Sequence, residues 1–316
     1  MEKRKLGQSA ITVAPLMFGG NVFGWTLDAA ASFQMLDAFT AAGFDFIDTA
    51  DVYSRFIPGN QGGESEVILG KWMKARGNRD RVILATKAGM DMGEGREGLS
   101  KAYLFKAVED SLRRLQTDYI DLYQAHVDDP KTPLEETLGA FAELIRQGKV
   151  RVIGASNYSA ERLDAALAVS DRLGLPAYQS LQPLYNLIDR TAYEAELQPL
   201  CKAKGLGVIP YFSLASGFLT GKYRSEADFA NSSRGGFVKH HLNDRGLRIL
   251  DALDQVAEGF NATPGMVALA WLMAQPTVTA PIASATSLAQ LDELVRATQL
   301  KLDRQAMEQL DRASAA

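Results

Sequence analysis

Two patterns of apolar and polar positions alternate along the chain. Short, mostly apolar runs such as 82–88 (VILATKA) lead into longer stretches in which apolar residues recur every three or four positions. The first pattern is typical of buried strands and the second of amphipathic helices. Eight such units follow one another, and their predicted strands and helices span 16–20 and 27–42, 44–50 and 64–76, 82–88 and 100–115, 120–126 and 134–147, 150–157 and 160–173, 177–183 and 192–204, 208–214 and 242–260, and 278–284 and 288–298.

Strands this apolar must be covered on both faces, which is typical of parallel sheets flanked by helices. Eight strand and helix units favour the α/β class and a closed (β/α)8 TIM barrel, predicted as a single domain over residues 1–316. Residues 3–15 predict a β-hairpin that caps the N-terminal mouth of the barrel. Residues 303–313 predict an extra C-terminal helix. An open eight-stranded sheet is the alternative architecture.

The longest connections all follow strands: 21–28, 52–63, 89–99 and 220–241. In a parallel barrel these connections share the C-terminal face, where such barrels build their functional sites. We therefore expect the site at this face.

Composition removes several classes of function. A net charge of −4 gives no electrostatic attraction to nucleic acid or to an anionic membrane, so neither is expected as a partner. A single cysteine, Cys201, excludes an intrachain disulfide and suggests a reducing compartment. Three histidines are too few for a structural zinc site, and no metal is expected. With no signal-like or membrane-spanning apolar run, the sequence predicts a cytoplasmic protein.

Three titratable residues stand at the ends of successive predicted strands. Asp48, Lys87 and His126 are each separated from the next by 39 residues. Equal spacing through similar units places these side chains at about the same height on adjacent strands, where they converge. A carboxylate in an apolar strand needs a partner, and Lys87 supplies it for Asp48. One interpretation is purely structural: an ion pair that fixes the order of the strands and a histidine of the core.

The other interpretation is catalytic and includes Tyr53, just beyond the strand of Asp48. A buried ammonium favours phenolate, so Lys87 is expected to lower the pKa of Tyr53 and make it a general acid or base. A neutral His126 would orient a substrate carbonyl. Because no serine or cysteine nucleophile stands in this group, proton donation to a carbonyl suggests that a hydride comes from a cofactor.

Asp48, Tyr53, Lys87 and His126, within GFDFIDTADVY, ATKAG and YIDLYQAH, resemble the catalytic tetrad of the aldo-keto reductase superfamily. The segments VIGASNY, LQPLYNL and GVIPYFSLASGFLTGKY extend the resemblance, which is to bacterial members and to the branch of potassium-channel β subunits. It implies a (β/α)8 barrel and an NAD(P)(H)-dependent oxidoreductase acting on a small aldehyde, ketone or alcohol.

The resemblance also implies which residues bind the cofactor. Ser156, Asn157 and Gln179 match positions that hold the nicotinamide carboxamide, and Tyr211 matches the aromatic residue that stacks on the ring. The segment that wraps the pyrophosphate matches Ser213, Leu214, Ser216, Gly217, Leu219 and Gly221, with Lys222 following. Further candidates at the first and eighth strands are Gly20, Asn21, Ser284, Thr286, Gln290 and Glu293. Turn glycines and a core tyrosine are the structural alternatives.

The cofactor that the resemblance implies meets one departure in this chain. The resemblance favours NADP(H) over NAD(H), yet relatives commonly carry a cation after the eighth strand, where it contacts the 2′-phosphate. This chain has IASATS at 282–287, without a cation. An ion pair to phosphate is stronger than neutral hydrogen bonds, so the preference is weakened. Lys222, Arg224 and Arg234 are the candidates to replace the cation.

The expected substrate wall contains Val22, Trp25, Phe56 and Phe237, which suit a bulky or cyclic carbonyl compound. Two other functions remain as alternatives. One is a nicotinamide-binding regulatory subunit with slow turnover, and the other is a metal-dependent barrel hydrolase.

Overall fold

The computed structural model describes residues 2–229 and 235–315. In these residues the strands are β1 Arg4–Lys5, β2 Thr12–Val13, β3 Met17–Gly19, β4 Phe46–Asp48, β5 Ile83–Ala88, β6 Ile120–Ala125, β7 Val150–Ser156, β8 Ser180–Gln182, β9 Gly207–Val208 and β10 Ile282–Ala283. The helices are α1 Ala29–Ala41, α2 Glu64–Arg76, α3 Lys101–Leu115, α4 Leu134–Arg146, α5 Ala160–Leu173, α6 Gln198–Lys204, α7 Gly235–Val238, α8 Asp244–Gly259, α9 Pro264–Met273, α10 Leu288–Ala297 and α11 Arg304–Ser314.

Strands β3 to β10 form one parallel sheet in the order β10-β3-β4-β5-β6-β7-β8-β9. Backbone hydrogen bonds join its two ends. The N–H of Thr279 donates to the C=O of Val208 at 2.7 Å, and the N–H of Ile282 donates to the C=O of Pro210 at 2.9 Å. The sheet therefore curls round on itself, which confirms the (β/α)8 barrel and rules out the open sheet.

The N-terminal hairpin closes the floor of the barrel. Strands β1 and β2 pair antiparallel, and the hairpin contributes Leu6, Ile11 and Val13 to a buried apolar cluster with inward-facing strand residues. The guanidinium of Arg4 donates to the backbone C=O groups of Met273 and Val278 at 3.0 Å each, which ties the hairpin to the end of the chain. The predicted cap is confirmed.

A larger apolar cluster lies between the sheet and the surrounding helices. Helix α3 begins at a capping residue, since Ser100 Oγ accepts from the N–H of Tyr103. The predicted C-terminal helix is present as α11. Among the described helices, none combines the length and apolar character needed to cross a bilayer.

Helix α9 is an element that the sequence analysis does not predict. Nine of its ten residues are buried, so it has no polar face, and without a polar face the three-to-four residue period disappears. It begins with Thr263 as N-cap and Pro264 in its first turn, which is the local signal that identifies its start.

Candidate active site

The predicted residues Asp48 and Lys87 meet at the C-terminal end of the barrel. Asp48 is the last residue of β4 and Lys87 the fifth of the six residues of β5. Nζ of Lys87 lies 2.8 Å from each carboxylate oxygen of Asp48. Both side chains are almost completely buried, at 0% and 1% exposure. A buried pair of this kind is stable only because each charge has its partner.

Tyr53 lies beside this pair, in the connection that follows β4. Its hydroxyl donates to Oδ2 of Asp48 at 2.8 Å and accepts from Nζ of Lys87 at 2.8 Å. Nζ also donates to the C=O of Thr49 at 2.8 Å. The phenol oxygen is therefore held between a carboxylate and an ammonium. The ammonium is itself held by Asp48 and by the C=O of Thr49.

His126 directly follows β6 and completes the group. Its ring lies edge-to-face with the ring of Tyr53, with 6.1 Å between centroids. Nδ1 is buried and has no hydrogen-bond partner in the described part of the chain. Asn157 Nδ2 donates to the backbone C=O of His126 at 2.9 Å and so fixes the position of this residue. The three residues predicted to converge, Asp48, Lys87 and His126, are thus neighbours, and Tyr53 lies among them.

The pKa of Tyr53 differs from the sequence-based expectation. Burial, and then the charge and hydrogen bond of Asp48, raise the pKa of the phenol well above its usual value. The expectation of a lowered pKa is wrong, because burial and, after it, the carboxylate in contact with the hydroxyl both disfavour phenolate. Tyr53 keeps its proton at neutral pH.

Burial also shifts the pKa values of Lys87 and His126. It lowers the pKa of Lys87, although the charges of Asp48, Asp51 and Glu66 oppose the shift. It lowers the pKa of His126 well below the usual value, and the charge of Lys87 acts in the same direction. The imidazole is therefore neutral, with one N–H to donate.

Gln182 belongs to the site, and the sequence analysis did not identify it. It is the last residue of β8, and its Nε2 donates to Oδ1 of Asp48 at 3.1 Å. Gln179, which the sequence analysis chose, lies at the other end of the barrel, where its Oε1 accepts from the N–H of Gln8 in the hairpin at 3.0 Å. The assignment of Gln179 is therefore corrected, since the barrel separates it from the tetrad.

Three other predicted residues adjoin the tetrad. Ser156 Oγ donates to the C=O of Gln182 at 2.9 Å, and Asn157 Nδ2 lies 3.2 Å from Ser156 Oγ. The hydroxyl of Tyr211 donates to Oδ1 of Asn157 at 2.9 Å. Asn157 takes a left-handed backbone conformation with φ of 56°. These bonds join the ends of β7 and β8 to Tyr211, which follows β9.

The segment after Tyr211 forms a tight turn with unpaired donors. Ser213 and Leu214 have backbone N–H groups without a backbone acceptor in the described part of the chain. Ser216 and Gly217 have φ of 53° and 94°. Successive N–H groups in such a turn form an anion-binding concavity. The side chains of Ser213 and Leu219 are buried, and the N–H of Leu219 donates to the C=O of Leu214 at 3.2 Å, so of these two residues Ser213 alone offers its backbone N–H.

Lys222 lies over this turn. A Cβ atom on Gly217 would be 3.0 Å from Nζ of Lys222, and this ammonium has no carboxylate partner in the described residues. By contrast, the guanidinium of Arg224 is bound to both carboxylate oxygens of Asp254 at 2.7 and 2.8 Å. Arg234 and the side chain of Phe237, to which the sequence analysis also gave roles, lie outside the described part.

The first and eighth strands meet at Ser284, whose Oγ donates to the C=O of Gly19 at 2.8 Å and lies 2.7 Å from Oδ1 of Asn21. Gly20 backs onto Asp48: a Cβ there would be 2.6 Å from the Asp48 carbonyl oxygen. Beyond Ser284, Oε1 of Gln290 accepts from the N–H and hydroxyl of Thr286. Glu293 is half-buried in α10.

The predicted substrate wall is found only in part. Trp25 and Phe56 pack edge-to-face, with 5.2 Å between ring centroids, and Phe56 is 64% exposed. Val22 is completely buried in the core between sheet and helices, so its side chain does not reach a substrate. In the described residues, no group of three or more metal-ligating side chains could hold a metal ion.

This barrel with a Tyr, Lys, Asp and His group at its C-terminal end belongs to a known class. Residues 15–315 match the aldo/keto reductase family, and the chain therefore belongs to that family. It is an NAD(P)H-dependent oxidoreductase.

The relatives that this chain resembles include proteins named as oxidoreductases and proteins named as potassium channel β subunits. The chain is 34% identical to an uncharacterized oxidoreductase, YrpG, of Bacillus subtilis, over 98% of this chain and 95% of that protein. It is 35% identical to the aldo-keto reductase YhdN of the same organism, over 92% and 85%. A probable voltage-gated potassium channel subunit beta of Oryza sativa is 33% identical, over 94% and 91%.

Proposed function

We propose that this protein, acting as a single barrel domain in the cytoplasm, reduces an aldehyde or ketone with NAD(P)H and that Tyr53 donates the proton. The observation that carries the proposal is the phenol oxygen of Tyr53, held at 2.8 Å from both Asp48 and Lys87. The reaction is reversible, so the same group accepts the proton when an alcohol is oxidised.

The reduced nicotinamide, when bound, supplies the hydride for the carbonyl carbon. Tyr53 turns its O–H from Asp48 to the substrate oxygen and donates its proton there. Lys87 keeps its bond to the phenol oxygen and stabilises the phenolate that forms. Tyr53 carries its proton at neutral pH, as a proton donor must, although its raised pKa also makes the phenol a weaker acid.

Neutral His126 is suited to orient the substrate. An imidazole that stays uncharged donates a hydrogen bond to a carbonyl oxygen without competing with Tyr53 for the proton. Its ring lies edge-to-face with that of Tyr53, so the imidazole is beside the proposed proton donor.

The residues around the tetrad fit a nicotinamide dinucleotide. Ser156, Asn157 and Gln182 supply polar groups for the carboxamide, with Gln182 taking the role first given to Gln179. Tyr211 supplies an aromatic face, and the turn from Ser213 to Gly221 is assigned to the pyrophosphate, with the N–H groups of Ser213 and Leu214 as its donors. Ser284, Thr286, Gln290 and Glu293 are assigned to the adenosine side.

A preference for NADP(H) is part of this proposal, and Lys222 supports it. Its ammonium lies over the phosphate-binding turn without a carboxylate partner in the described residues. Thr286 follows β10 where a cation would otherwise contact the 2′-phosphate, and its hydroxyl makes a weaker, neutral bond. We therefore propose a modest preference, with NADH accepted as well.

The exposed apolar side chains support an apolar substrate. Six large hydrophobic side chains are exposed in the described part of the chain, and four follow the C-terminal ends of strands: Phe56, Met90, Leu184 and Phe212. Exposed apolar groups grouped round a site mark a binding surface. We propose a bulky or cyclic ketone or an aldehyde with an apolar group.

The second candidate function is a nicotinamide-binding regulatory subunit with slow turnover. The observation that favours it is the 33% identity to the Oryza sativa protein named as a probable potassium channel subunit beta. A fast kcat with rapid release of oxidised cofactor would eliminate this candidate.

The test is a screen of aldehydes and ketones with NADPH and NADH in parallel, followed by Tyr53→Phe on the best substrate. We expect kcat to fall by about 10²–10⁴-fold, the usual contribution of a general acid. Binding of NADPH, measured by fluorescence titration, should stay within about twofold because the phenyl ring remains. Retained turnover in Tyr53→Phe would remove Tyr53 from the mechanism.

A further inference from the structure

Two carboxyl groups that the proposed mechanism does not use are buried beside the tetrad. Asp51 follows β4, three residues after Asp48, and is 2% exposed. Glu66 is in the first turn of α2 and is completely buried. Buried carboxylates are costly unless each has a counter-charge and hydrogen bonds.

Glu66 has such partners. Its Oε1 accepts from the hydroxyl of Thr86, and its Oε2 accepts from Nε of Arg114 in α3, both at 2.6 Å. Thr86 directly precedes Lys87 in β5. Glu66 and Arg114 thus form an ion pair on the helix side of the strand that carries the catalytic lysine.

Asp51 lacks equivalent partners. Its backbone N–H donates to the C=O of Lys87 at 3.2 Å, but Oδ1 of its carboxyl group is buried without a hydrogen-bond partner in the described residues. The hydroxyl of Tyr123, in β6, is likewise buried and unpaired. Asp51 is therefore attached to the backbone of Lys87, with one carboxyl oxygen uncompensated.

Burial and the surrounding charges together determine the protonation of Asp51. Burial, and then the charge of Glu66, raise the pKa of Asp51 to about 8, against the opposing effects of Arg114, the N–H of Val52 and Lys87. The remaining titratable neighbours are Tyr103 and Tyr123, whose pKa values are raised, so both are neutral. Asp51 carries its proton at neutral pH and loses it in mildly alkaline solution.

We propose that Asp51 is a positioning residue for the tetrad: its charge acts on Lys87 and sets the alkaline limit of proton donation by Tyr53. This proposal rests on the proposed reductase function. Burial lowers the pKa of Lys87, whereas a negative charge on Asp51 raises it. As the pH rises and Asp51 ionises, Lys87 is helped to keep its proton and its bond to Tyr53.

The first test is the pH profile of kcat/KM for Asp51→Asn, which has no ionisable group at this position. We expect the ratio of kcat/KM at pH 9 to that at pH 7 to be at least about threefold lower than in the wild type. Asp80→Asn, at an exposed position before β5, is the matched control and should follow the wild-type profile. Equal ratios in Asp51→Asn and the wild type would overturn the proposal.

The second test needs no substrate. Asp51 binds a proton more tightly in the folded than in the unfolded chain, so the wild type loses stability as the pH rises from about 4 to about 8. Asp51→Asn should therefore gain stability relative to the wild type from pH 5 to pH 8, measured by urea unfolding. A constant difference would overturn the proposal, whereas an inactive wild type would instead contradict the proposed function.

Discussion

The two ends of the barrel differ in what the strands present there. At the C-terminal end Asp48, Lys87 and Gln182 form a buried polar network. At the N-terminal end Leu6 and Ile11 of the hairpin lie in an apolar cluster. The buried polar groups of the candidate active site thus lie at the opposite end from the apolar packing that closes the floor of the barrel. Substitutions at the two ends should therefore have different effects.

The largest effect is expected from Lys87→Met. This variant removes the donor to Tyr53 and leaves the buried carboxylate of Asp48 unpaired. We expect kcat to fall by about 10²–10⁴-fold and the free energy of unfolding to fall by roughly 3–5 kcal/mol, measured by steady-state kinetics and urea unfolding. The double variant Asp48→Asn/Lys87→Met should recover stability but not activity. Recovery of activity would contradict the proposed mechanism.

A substitution at the N-terminal end should lower stability and leave activity unchanged. Leu6→Ala removes a fully buried side chain from the floor of the barrel and should lower the free energy of unfolding by about 2–5 kcal/mol. We expect kcat to stay within about twofold, because the tetrad lies at the far end. Lys5→Ala, at the exposed neighbouring position, is the control. A large loss of kcat in Leu6→Ala would show that the two ends are coupled.

Gln179 and Gln182 are three residues apart in the chain and lie at opposite ends of the barrel, so they allow the same comparison of the two ends. Gln182→Ala removes a hydrogen bond to buried Asp48, and kcat/KM should fall by about tenfold, equivalent to about 1.4 kcal/mol. Gln179→Ala removes a bond to the hairpin and should cost about 1 kcal/mol of stability, with kcat/KM within about twofold. The reverse pattern would restore the original assignment of Gln179.

The smallest effect is expected in the pH dependence of stability that is due to His126. Its pKa is lowered in the folded chain, so the unfolded chain binds the proton more tightly. The stability due to the neutral imidazole is present above the unfolded pKa of about 6.5 and is lost as the pH falls below it, by up to about 1.4 kcal/mol per pH unit. Urea unfolding at pH 7.5 and 5.5 should show a smaller change in His126→Gln than in the wild type. Equal changes would mean that His126 is not buried in its neutral form.

The sequence predicted the barrel and the convergence of the tetrad because both depend on regular spacing. Asp48 and Lys87 stand near the ends of equivalent strands, and 39 residues separate them. Gln182 was missed although it satisfies the same criterion, being the last residue of β8. The resemblance pointed to Gln179 instead, and strand position would have corrected it.

Other features of the site depend on three-dimensional detail that spacing does not contain. The pKa of Tyr53 depends on whether its hydroxyl contacts Asp48 or only Lys87, and the sequence indicated the ammonium alone. Val22 stands beside Asn21 in the chain, yet its side chain turns into the outer core. The burial of the two acids Asp51 and Glu66 is a further such detail, because it depends on how the fold packs around them.

The bonds of Arg4 also have a consequence for the order of folding. Its partners, the carbonyls of Met273 and Val278, lie 269 and 274 residues further along the chain. At a synthesis rate of about 5–20 residues per second, Arg4 leaves the ribosome roughly 15–50 seconds before these partners are made. The hairpin is synthesised before these partners, so its final docking must wait until residues 273–278 have been made.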